Sequence, residues 1–171
     1  MTATIEVSVE AAGWGELEDP QSLAERAIAA ALAETGAPIA DGAETSLLFC
    51  DDAFIQNLNL RWRGFDKPTN VLSFPSGEDP ATTLVLGDVA LAYETTAREA
   101  REAGRTLADH TAHLVVHGFL HLLGYDHEDD EEAEEMEQAE RAALARLGIA
   151  DPYAEPCAES RAEREAQSKE R

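Results

Sequence analysis

The chain has 171 residues, 13 basic and 35 acidic, for a formal net charge of −22. With 44% hydrophobic and 28% charged residues it is a globular chain, long enough to bury a core without disulfide staples. The charge excludes a protein that coats nucleic acid by bulk electrostatics, since such proteins neutralise phosphates with Lys and Arg.

In chain order, Ile5, Val7 and Val9 alternate with Glu6, Ser8 and Glu10, the period of a half-buried strand. The first ten residues have neither the basic nor the apolar region of a signal peptide. Asp19-Pro20 reads as an N-cap with proline at the first helical position, opening a helix that covers Ser22 to Thr35 and stops at Gly36. Thr45 to Cys50 is a second strand. Asp51-Asp52 caps a helix over Ala53 to Arg61, with Phe54 and Leu58, joined by Ile55, on its inner face. A short strand, Val71 to Phe74, stops at Pro75, and Leu84 to Leu91 forms a fourth. Tyr93 to Ala103 is helical and ends at Gly104. Thr106, with Asp109 three residues on, makes a capping box for the most apolar helix, which runs to Leu123 with Gly124 as its C-cap.

Between Glu128 and Glu140 nine of thirteen residues are acidic and none is basic. The run lies in a last helix, from Asp129 to Leu147, and reads as a solvated face. The pattern predicts an α+β fold, a small mixed four-stranded sheet with helices packed on it, in one domain over 1–150. The remainder, 151–171, is proline-bearing and poor in large apolar residues, which predicts an acidic, flexible tail. Cys157 lies in that tail and Cys50 closes an apolar run, a placement that fits reduced thiols in a cytoplasmic protein. No apolar stretch is long enough to span a bilayer, so no membrane partner is expected.

All five histidines fall between positions 110 and 127. His117-Gly-Phe-Leu-His121-Leu-Leu-Gly124-Tyr-Asp-His127 reads H-x-x-x-H-x-x-G-x-x-H. Residues four apart on a helix return to nearly the same azimuth, so His117 and His121 project side by side. A left-handed turn at Gly124 then brings His127 back as a third ligand to one metal ion. Three nitrogens leave a fourth position open, the arrangement of a catalytic zinc site, although imidazole also suits other divalent transition metals. His113, one turn before His117, is a candidate to hydrogen-bond a ligand from behind; His110 reads as a surface residue.

The spacing follows the extended zinc-protease pattern except at one position. Those enzymes place a glutamate immediately after the first histidine, as general base. Here that position is Gly118. Lewis-acid activation of a phosphoryl oxygen needs no such base. A second segment, Arg61-Trp-Arg63-Gly-Phe-Asp66-Lys67, holds three cations and one acid in seven positions and is a local positive patch in an acidic chain. The Arg63 fork, at a helix end, suits a phosphate and the charge that develops on it, with Arg61 and Lys67 as further substrate-binding candidates. Trp62 has two readings, a surface that stacks on an unpaired base or a side chain packed at the sheet edge.

Three segments together resemble the YbeY family: Arg63-Gly-Phe-Asp-Lys-Pro-Thr-Asn-Val-Leu-Ser-Phe-Pro75, Leu86-Gly-Asp-Val-Ala90, and His113 through His127. Their order and spacing match, as does the acidic Glu134-Glu-Met-Glu137 that follows, and the resemblance covers residues 5–148. It implies a zinc-protease-like fold with the metal-binding helix across the sheet, and a zinc-dependent endoribonuclease. By that resemblance His117, His121 and His127 are the zinc ligands and Arg63 is catalytic or substrate-binding. The implied partners are single-stranded and ribosomal RNA, and the ribosome or a protein on it, with no DNA. The implied tasks are 3′-end maturation of small-subunit ribosomal RNA and ribosome quality control. Two rival readings are a metallopeptidase with another base, and a non-catalytic assembly factor with a structural metal.

Overall fold

The computed structural model describes residues 2–154. Strand β1, Thr4–Val9, leads through a 3₁₀ turn at Ala12–Glu16 into helix α1, Pro20–Thr35. Then come β2, Glu44–Cys50; α2, Asp52–Arg63; β3, Val71–Pro75; and β4, Val85–Ala92. Helices α3, Tyr93–Glu102, α4, Leu107–Leu122, and α5, Asp130–Arg146, complete the chain order. The caps anticipated from the sequence form: Asp19, Asp51 and Thr106 each accept a backbone N–H of the helix they precede, and Asp129 does the same for α5.

The sheet order is β1-β2-β4-β3, with β1, β2 and β4 parallel and β3 antiparallel at the edge against β4. Alternation along the strands sends side chains to two cores. Leu47, Phe49, Leu86, Val89 and Leu91 pack with α1, α4 and α5 in the larger one. Leu48, Cys50, Leu72 and Ala90 pack with Ile55 and Leu58 of α2 in a smaller one on the other face. Trp14 is fully buried, donates its indole N–H to the Cys50 carbonyl at 2.8 Å and meets the Phe49 ring edge-on. Burial, and then the charge of Asp51, push the free Cys50 thiol up to about 12, so it is an inert core residue.

Two expectations are corrected. Phe54 is half-exposed, because the inner stripe of α2 centres on Ile55 and Asn59 and leaves Phe54 at its margin. Asn59 spends that buried position tying the following loop back, donating to the Lys67 carbonyl at 2.9 Å. His110 is buried, its Nε2 2.9 Å from Glu99 of α3, because α3 packs against α4 there. Of the expected tail, residues 151–154 are described: Asp151 pairs with Arg141, and the Tyr153 ring lies beside the Arg141 guanidinium of α5. Cys157 and the rest of the tail lie outside the described residues.

Helix α4 lies close on the sheet at Gly118. A Cβ there would sit 2.7 Å from Val89 Cγ1 of β4 and 3.2 Å from Ser73 Oγ of β3, and that serine donates to the Gly118 carbonyl at 3.1 Å. Intrinsic propensity favours alanine over glycine in a helix by about 1 kcal/mol. Overpacking against branched Val89 costs about 1–3 kcal/mol. The second effect wins, so Gly118→Ala is expected to unfold at a lower urea midpoint than wild type. A higher midpoint would show that the helix can lift off the sheet without loss.

Candidate metal centre

Helix α4 presents His117 and His121 from one face, with ring centroids 4.8 Å apart. Its C-terminus is closed by a reversal in which Gly124 (φ 103°) donates to His121 O and Tyr125 donates to Leu120 O, at 3.1 and 3.0 Å. The turn carries His127 back beside the other two rings, 5.2 Å from His121 and 6.1 Å from His117 by centroid. One nitrogen from each of the three lies within 4.8 Å of the others. The three nitrogens thus converge on one point and form a group that could hold a metal ion. Among the described residues no carboxylate or thiolate joins the cluster. Asp126 is occupied locally, accepting from the His127 N–H at 2.8 Å. Burial, and then the neighbouring His117 and His127, hold the His121 imidazole below its ordinary range, which keeps it neutral and able to ligate at pH 7.

Behind the triad lies a residue that the sequence reading missed. Glu140 of α5 is fully buried and accepts a hydrogen bond from His117 Nδ1. With Nδ1 carrying the proton, Nε2 keeps a lone pair for a metal. Burial alone would raise the Glu140 carboxyl. The His113 and His117 imidazoles facing it outweigh that and hold it at about 2, so it is ionised throughout the neutral range. The signal was present: Met136, Glu140 and Leu144 recur at four-residue spacing, which places Glu140 on the apolar stripe of an otherwise acidic helix. His113 does stand behind the site, but its Nε2 lies 3.6 Å from Glu140 Oε2 rather than in contact with a candidate ligand.

The positive patch lies at the end of α2, which Gly64 terminates at φ 78°. The Arg63 guanidinium and the Lys67 ammonium both lie over the exposed Phe65 ring, at 5.9 and 5.7 Å, and Arg61 lies over Trp62 at 5.5 Å. Arg63, Trp62, Phe54, Leu58, Phe74 and Asp88 help line a groove of about 940 Å³ on the sheet face opposite α4. No hydrogen bond or ion pair among the described residues links these cations to the histidines. What connects the two regions is edge strand β3. Its Phe74 meets Trp62, with ring centroids 6.3 Å apart, while the preceding Ser73 bonds α4 at Gly118.

Comparison with known proteins fits this geometry. The family model described as Endoribonuclease YbeY matches residues 10–148. This chain belongs to the YbeY family. The Endoribonuclease YbeY of Methylocella silvestris is 59% identical over 158 residues, covering 92% of this chain and 90% of its own. That of Paramagnetospirillum magneticum is 53% identical over 165 residues, covering 91% and 99%. The solution structure of TM1509 from Thermotoga maritima superposes with a TM-score of 0.54 at 26% identity, covering 89% of this chain and all of that one. The YbeY relationship inferred from the three sequence segments, and the mixed-sheet fold it implied, are borne out. Among the described residues no helix is long and apolar enough to cross a membrane.

The triad makes a direct expectation. Titrated with cobalt(II) and followed by equilibrium dialysis, wild type takes up one equivalent tightly and His121→Ala takes up none. Equal uptake by both would place the metal elsewhere.

Proposed function

We propose that this YbeY chain is a zinc-dependent endoribonuclease of the cytoplasm that cuts single-stranded RNA, with ribosomal RNA precursors as its substrates. The observation that carries the reading is the histidine triad set beside a glycine that leaves no room for a protease glutamate. His117, His121 and His127 would hold one ion, and a nitrogen-only donor set with an open position suits zinc. When bound, the ion supplies Lewis-acid polarisation of an oxygen on the scissile phosphate. The chain's own residues supply the rest. Glu140 fixes the proton of His117 on Nδ1 and so aims Nε2 outward. Arg63 offers a planar fork to the phosphate and neutralises charge as it develops, with Arg61 and Lys67 beside it for the flanking phosphates. Trp62, 62% exposed, is a stacking surface for an unpaired base.

A base at position 118, where zinc proteases carry theirs, is excluded by packing, because a side chain there meets Val89. The structural-metal reading is disfavoured by a cluster with three donors and no fourth among the described residues. The triad, the patch and the core lie within 1–150, which we read as the catalytic domain, with residues 151–154 packed against it. The net charge of −22 opposes unaided RNA binding, so delivery by the ribosome or a protein on it is part of the proposal.

The test is cleavage of a single-stranded RNA by metal-analysed wild type, Arg63→Ala and His117→Ala. Arg63→Ala is expected to keep its metal and lose about a hundredfold or more in rate, and His117→Ala to lose both. Products ending in a cyclic phosphate assign the nucleophile to the RNA 2′-hydroxyl, and a 5′-phosphate assigns it to water. Equal rates for all three proteins would assign the activity to a contaminant and overturn the proposal.

A further inference from the structure

Residues 151–154 contribute one side chain to the back of the metal centre. The Tyr153 hydroxyl donates to Glu140 Oε2 at 2.5 Å, while Oε1 of the same carboxylate takes the proton of His117 Nδ1. The ring stands edge-on to His113, with centroids 5.6 Å apart, and the Arg141 guanidinium lies 5.3 Å from its centroid. Arg141 also pairs with Asp151 at 3.3 Å, and Asp151 accepts the Tyr153 N–H at 2.7 Å. The segment is therefore folded back on α5 by several bonds that converge on one phenol.

We propose that Tyr153 is a positioning residue for the metal site, acting through Glu140 on His117. A carboxylate held through one oxygen can still rotate about its last torsion, and the partner of the second oxygen decides its plane. At Glu140 the nearest partner of that oxygen is the Tyr153 hydroxyl, at 2.5 Å, with His113 Nε2 behind it at 3.6 Å. The plane of the carboxylate in turn sets the direction along which His117 Nδ1–H points, and with it the aim of Nε2. Burial, and then the Glu140 charge, push the phenol up, so Tyr153 remains a donor. The inference rests on reading the triad as a metal site and adds to it a residue outside the H-x-x-x-H-x-x-G-x-x-H motif.

Cobalt(II) binding to the full chain separates positioning from simple packing. Tyr153→Phe keeps the ring on His113 and Arg141 and removes only the hydroxyl. Dissociation constants by competition with a chelating dye are compared for wild type, Tyr153→Phe, Glu140→Gln and the double variant. The visible spectrum of the bound cobalt and the melting midpoint of each metal-free protein are recorded alongside. Glu140→Gln is expected to weaken binding about 10–100-fold and Tyr153→Phe about fivefold, a smaller effect for a partner one bond further out. The cobalt spectrum is expected to shift in both. In the double variant the tyrosine substitution should add nothing, since it acts through the carboxylate. An unchanged dissociation constant and spectrum in Tyr153→Phe, or the same added factor in both backgrounds, overturns the proposal. Wild type that binds no cobalt would instead overturn the reading of the triad itself.

Discussion

A carboxylate cut off from water is tolerated in a fold only where donors meet its oxygens, and the arrangement around α4 follows from burying Glu140 in this way. Helix α5 must dock so that Glu140 faces α4, and α4 must present His117 to meet it. The chain beyond α5 must return far enough for Tyr153 to cover the second oxygen. Those demands orient the first histidine of the triad before any ligand arrives. The other two follow from local backbone: His121 by one helical turn, His127 by the reversal at Gly124. Losing one of Glu140's partners would leave a buried charge short of donors, a cost of several kcal/mol in general.

The elements themselves were readable because each is signalled locally. An Asp-Pro pair, an Asp-Asp pair, a threonine capping box and glycines at helix ends state where helices begin and stop. The metal motif was readable for the same reason, since i, i+4 spacing and a glycine turn are local facts. The residues misplaced in the sequence reading depend on what packs opposite them. Phe54 has the composition of an inner face, yet it is half-exposed and lines the groove beside the sheet rather than the core. His110 has the look of a surface residue, yet α3 brings Glu99 against it. Glu140 was hidden by its setting: among eight other acids in thirteen residues, one buried carboxylate is visible only through its register with Met136 and Leu144. Its partner Tyr153 lies three residues past the apparent end of the domain and carries no motif.

The large negative charge takes on a narrower meaning beside this geometry. It rules out bulk attraction to RNA and leaves recognition to a small set of side chains. The cations of that set are held over aromatic rings at the end of α2, where Arg63 also lines a groove. Strand β3 serves both this patch and the metal helix through adjacent residues, Phe74 and Ser73. The close approach at Gly118 that permits the Ser73 bond also removes the position a protease uses for its base. One packing contact thus bears on both the architecture of the site and the class of chemistry it supports.

The central claim is that the fold organises His117 for metal binding in advance, through Glu140. The most direct measurement is the tautomeric state of His117 in the metal-free protein, read from the nitrogen-15 shifts and long-range proton couplings of its ring near pH 7. The account expects a single form with the proton on Nδ1, the state it keeps when metal is added. A ring protonated on Nε2, or an equal mixture of both forms that resolves only when metal binds, would contradict it.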